Sequence, residues 1–139
     1  MTDSNRGSRA LAVRCAQLLD EKKLEDIAIF DVRRSIQITD YFVIASGLTS
    51  RHIQSVSNHL AKELRESGYS RTGLEGYHDG KWILLDYLDV VVHLFLVENR
   101  GHYDLELLWG DCPRVAFAPG RAQRAAGGAG ATAREGSAS

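Results

Sequence analysis

Residues 75 to 95 read EGYHDGKWILLDYLDVVVHLF, and they bring one Trp, two His and four carboxylates into a short stretch. Metal-dependent nucleotidyl transfer would need carboxylates converging on paired divalent ions, commonly as Asp-x-Asp on one strand so that both point the same way. Asp86 and Asp89 are three apart, which places them on opposite faces of a continuous strand or across a turn. The two-metal frame is therefore missing. No Ser with a positioned His and Asp is identifiable either. The remaining chemistry is recognition, for which Trp82 offers a large apolar area and an N–H that can still pair.

The other reactive residue types are scattered. His52, His59, His78, His93 and His102 form no H-E-x-x-H, and Cys15 and Cys112 belong to no C-x-x-C pair, so neither zinc nor redox chemistry has a frame. Cys15 falls among helix-core spacings and reads as a small buried hydrophobe. SGLTSRH, residues 46 to 52, passes from a strand through Gly into a hydroxyl-capped helix, whose free amides could hold a phosphate. It lacks both G-x-x-x-x-G-K-[ST] and G-x-G-x-x-G, and strand, turn and cap suffice to explain it.

Charge is more informative. From Glu75 to Asp111 eight acids oppose two bases, a local charge of −6, which leaves +5 for the rest of a chain whose total is −1. Such a stretch is either a solvated acidic face or a surface that attracts a basic partner and repels nucleic acid. With no net basic field and no apolar run of membrane-spanning length, neither nucleic-acid wrapping nor membrane insertion is expected, and the cytoplasm is the expected location.

These residues must be held by a scaffold. Leu11, Cys15, Leu18 and Leu19 recur at helical spacing and predict a helix over about 8 to 23. DIAIFDV and YFVIASG read as strands, and Ile53, Val56, Leu60 and Leu64 stripe a helix capped by Thr49 or Ser50 and stopped near Gly68. TGLEGY is a weak strand, and KWILLDY and DVVVHLFLV are strong ones divided at Leu88 and Asp89. HYDLELLW reads as a short closing helix. The sum is an α/β fold, a mixed sheet of about five strands with packed helices. If the hairpin turns at Leu88 and Asp89, then Ile83, Leu85, Tyr87, Val90, Val92 and Leu94 form a core face. Trp82, Leu84, Asp86, Val91, His93 and Phe95 form the other, an apolar face with polar handles that suits either a covered core or a partner. One domain over residues 8 to 117 is expected, between a flexible segment 1 to 7 and a disordered tail 118 to 139, in which Ala and Gly make 13 of 22 residues.

In order, ITDYFVIASG, TSRHIQSVSNHL, the acidic EG, KWILLDYLDVVVHLF and YDLELLWGDCPRV resemble the ribosomal silencing factor family, also called the Iojap family, over about residues 8 to 115. The resemblance implies a nucleotidyltransferase-like fold without known transferase activity and without a cofactor. It also implies binding to the large ribosomal subunit through the protein conventionally called L-fourteen, which blocks subunit joining by occupancy and represses translation; organellar relatives act in large-subunit assembly. Carried onto this chain, Trp82 and Asp86 match the family's W-x-x-x-D, as buried anchor and as acceptor for a Lys or Arg. Asp89 and His93 match D-x-x-V-H, Glu75 matches the acid before Gly76, and Tyr103 and Trp109 match the closing helix. Leu84, Val91 and Phe95 would serve a homodimer as readily as a ribosomal protein.

Overall fold

A computed structural model describes residues 2–35, 38–98 and 111–118. The first helix, α1 (Thr2–Glu21), starts before the expected boundary and stops at a turn in which Lys23 takes φ 67. It turns Leu11, Ala12, Cys15, Ala16, Leu18 and Leu19 inward, and the two small alanines let its backbone approach the sheet. Strand β1 (Glu25–Asp31) leads to β2 (Tyr41–Gly47), which is buried at every residue, as its unbroken apolar sequence requires of a central strand. Thr49 then caps α2 (Ser50–Glu66) by accepting from His52 N at 3.0 Å, and Gly68 takes φ 99 just beyond the end.

After α2 come β3 (Gly73–Glu75), β4 (Trp82–Asp86) and β5 (Val90–Leu96). The sheet order is β1-β2-β5-β4-β3; β2 and β5 run parallel and every other neighbouring pair is antiparallel. The mixed five-stranded sheet is therefore as expected. Both helices lie on one face: α1 packs on β1 and β2, and α2 on β5, β2 and β4. Between them Ile53, Leu60, Leu64, Ile83, Leu85, Val92 and Leu94 are fully buried, so the expected core face of the hairpin is the helix-covered one. Cutting one of these leucines to Ala would cost about 2–5 kcal/mol through lost transfer energy and a cavity.

The opposite face has its own cluster, Ala28, Phe30, Val32, Phe42, Ile44 and Phe95, on which Trp82, Val91 and Cys112 pack. Residues 113–115 return to the outer edge of β1. Asp31 N donates to Pro113 O at 2.8 Å, Val115 N donates to Ile29 O at 3.0 Å, and the Arg114 guanidinium stands 5.0 Å from the centre of the Phe30 ring. The closing helix expected over HYDLELLW, with Tyr103 and Trp109, and the tail beyond Ala118 lie outside the described residues.

Candidate functional site

Alternation along β4 and β5 places the candidate residues. Trp82 pairs with Phe95, Leu84 with His93 and Asp86 with Val91, and directly paired side chains share a face. In β3, Glu75 pairs with Leu84, and in β2, Ile44 pairs with His93. Glu75, Leu84, His93 and Ile44 thus form one row across the face opposite the helices, flanked by a row through Trp82 and Phe95 and another through Asp86 and Val91.

At the centre is a bonded pair. Trp82 Nε1–H donates to His93 Nδ1 at 3.1 Å, while the indole stacks on Phe95 with ring centres 5.1 Å apart. Phe42 and His93 meet in a T-shaped contact with ring centres 4.9 Å apart. Because Nδ1 accepts, the imidazole proton sits on Nε2. Among the described residues that nitrogen is buried without a hydrogen-bond partner. Burial pushes the ring's pKa down from 6.5 to about 4, so His93 is neutral at physiological pH. With its one acceptor atom taken by Trp82, His93 cannot accept a bond from a Lys or Arg.

Trp82, Leu84, Asp86 and Val91 are half-buried around this centre, so part of the indole stays open at the surface. Asp86 Oδ1 accepts from Leu88 N at 2.8 Å and so helps to fix the hairpin turn. The Asp86 carbonyl accepts from Thr72 N and Oγ1, which docks β3. Glu75 is exposed at the rim. Asp89 is exposed at the turn rather than on this face, and its carbonyl takes Asp40 N at 2.8 Å and Tyr41 N at 3.1 Å. Trp82, His93, Asp86 and Glu75 are therefore brought onto one face, and Asp89 stands at its end.

The alternatives with reactive chemistry gain no geometry. Asp86 Oδ1 is bonded to Leu88 N and Asp89 is exposed at the turn, and among the described residues no group of three His, Cys, Asp or Glu side chains could hold a metal. At the start of α2 the amide of His52 is taken by Thr49, and the His52 ring Nε2 lies 2.9 Å from Lys22 O. An open cleft of about 920 Å³ lies between Asp31, Arg33, Arg34, Asp40, Asp111 and Cys112. There Arg33 binds Asp31 at 2.7 and 2.9 Å and holds its carboxyl below the usual range, while the Cys112 thiol meets Ser35 Oγ at 3.3 Å.

The Trp82–His93 bond was open to sequence reasoning: a turn at Leu88 and Asp89 makes the two diagonal neighbours on one face. The return of residues 113–115 to β1 carries no local signal, since CPRVAF has no strand alternation.

Residues 5–139 match the family described as "Ribosomal silencing factor during starvation". A relative from Halalkalibacterium halodurans, named ribosomal silencing factor RsfS, is 38% identical over 112 residues, covering 81% of this chain and 93% of its own. A mouse relative, "Mitochondrial assembly of ribosomal large subunit protein 1", is 35% identical over 97 residues, covering 66% of this chain and 42% of its own. The crystal structure of a Chromobacterium violaceum protein superposes with a TM-score of 0.68 at 32% identity, covering 84% of this chain and 94% of that one.

Proposed function

The chain belongs to the ribosomal silencing factor family, and from that premise we propose that it binds the large ribosomal subunit through the face centred on Trp82. The contact is with the protein called L-fourteen, and the bound domain represses translation by occluding the small subunit. No bond is made or broken in this reading, and the setting is the cytoplasm. The observation that carries it is the half-buried Trp82, held in one orientation by His93 and Phe95 and surrounded by half-buried Leu84, Asp86 and Val91. A fixed aromatic loses little freedom on docking and buries much area, which is what an interface anchor needs. The carboxylates of Asp86 and Glu75 at the rim suit a basic partner, and their attraction acts on encounter and orientation more than on affinity.

Sedimentation with purified large subunits tests the reading. Trp82→Ala should weaken binding by about 2 kcal/mol or more. Added salt should weaken the wild type more than Asp86→Ala, because the variant has already lost the screened attraction. Trp82→Phe keeps the stack on Phe95 and guards against a loss that comes only from unfolding. Folded variants that bind subunits as tightly as the wild type and still block joining would refute the assignment of this face.

A second reading, an assembly role on the large subunit without silencing, is favoured by the name of the mouse relative. It uses the same face. Large subunits that remain able to join small subunits in the presence of saturating protein would favour it. A homodimer through Leu84 and Val91 would compete for that face, and its concentration dependence would be seen in the same sedimentation experiment.

A further inference from the structure

The turn between β4 and β5 breaks two local rules at one residue. Leu88 has φ 71, in the left-handed region that disfavours a side chain with a Cβ, and it is 62% exposed. Gly or Asn would relieve the backbone, and any polar residue would suit the solvent. The conformation is nevertheless well secured: Leu88 N donates to Asp86 Oδ1 at 2.8 Å, Asp89 N to Tyr87 O at 2.9 Å and Tyr87 N to Val90 O at 2.9 Å. A large apolar side chain is thus presented largely to water by a turn built to hold it there, and among the described residues it belongs to neither buried cluster. Departures of this kind without local compensation mark functional positions.

A second exposed apolar residue lies at the same end of the sheet. Ile38 is 86% exposed, and the loop that carries it is tied to the turn where Asp40 N and Tyr41 N both donate to Asp89 O. Asp40, Asp89 and Asp86, whose Oδ1 accepts from Leu88 N, stand at this end; of the two arginines that share a cleft with Asp40, Arg33 is held by Asp31 through two side-chain hydrogen bonds and Arg34 lines the cleft beside it, so carboxylates outnumber guanidinium groups here.

We propose that Leu88 and Ile38 form an apolar tip that seats in a hydrophobic depression on a protein of the large subunit whose rim is basic. This rests on the ribosome-binding reading and adds a contact at the end of the sheet, separate from Trp82. Apolar area supplies the affinity and the three carboxylates select a rim of Lys or Arg. The partner is a protein rather than nucleic acid, because those carboxylates repel a phosphate backbone.

The strained backbone makes the test sharp. Leu88→Gly removes the side chain and relieves φ 71, so its melting temperature should equal or exceed that of the wild type, while its binding to purified large subunits falls about tenfold or more. A merely structural residue would not lose binding while keeping or gaining stability. Leu88→Asn, which tolerates the left-handed region, and Ile38→Ser should behave in the same way. Folded variants that bind like the wild type, while Trp82→Ala binds weakly, would overturn the tip and leave the face assignment standing. A wild type that self-associates, with Leu88→Gly monomeric, would overturn it in favour of a contact between copies. A wild type that does not bind subunits at all would remove the ribosome-binding reading and the tip together.

Discussion

Lowering the pH from neutrality to about 5 should destabilise this protein largely through His93. The ring is 5% exposed, and burial moves its pKa from 6.5 to about 4. In the unfolded chain it titrates near its ordinary value, so between those two pH values the unfolded state takes up a proton that the native state refuses. Stability from the neutral ring is therefore complete above about pH 6.5 and is lost as the pH falls toward 4. One pKa unit corresponds to about 1.4 kcal/mol, so the full displacement is worth about 3 kcal/mol, of which about 2 kcal/mol is gone by about pH 5. Asp31 has a lowered pKa and contributes in the same direction, but only below its ordinary 3.8, outside this window. His59 is also lowered by burial, partly offset by Glu63 and Glu21, and His59→Gln serves as its control. The assay is urea unfolding at about pH 7.5 and about pH 5 for the wild type and for His93→Asn. The Asn amide oxygen can replace Nδ1 as acceptor for Trp82 and does not titrate. The wild type should lose about 2 kcal/mol more than the variant over this interval. Equal losses would show that protonation of His93 is not coupled to folding and would refute the reasoning.

Gly76→Ala should cost about 3 kcal/mol or more, because φ is 78 and a new Cβ would run into the Trp82 carbonyl oxygen; an unchanged melting temperature would contradict the turn geometry. Thr49→Ala should lower stability by about 1 kcal/mol through loss of the α2 cap, with Thr49→Asn nearly neutral in the same chemical-denaturation series.

Much of the scaffold is written in period. The β2 run, the α2 stripe and the hairpin about Leu88 and Asp89 are local patterns in which side-chain spacing and turn position determine the outcome, and all occur where expected. The candidate face follows from the same alternation, so Trp82, Asp86 and His93 are placed together as the spacing requires. What spacing cannot give is hydrogen-bond direction. That Nδ1 of His93 is an acceptor already taken, and that Asp86 secures the backbone of Leu88, depend on side-chain torsions within a packed group. Nor does it give long-range return: the edge of β1 is met by residues with no strand pattern of their own.

That return bears on the order in which the chain can fold during synthesis. Val115 bonds to Ile29 and Pro113 to Asp31, pairs more than eighty residues apart, and the parallel pairing of β2 with β5 already spans a long crossover. Loops of this size close slowly relative to helix or hairpin formation. A chain emerging from the ribosome therefore has α1, the β1–β2 hairpin and α2 available early, while the outer edge of β1 and one side of the Phe30 ring wait for residues 113–115. Until then that edge offers unpaired backbone groups to any neighbouring nascent chain. A chain truncated before Pro113 would carry the same hazard permanently, whereas one truncated after Ala118 would already have its own strap in place.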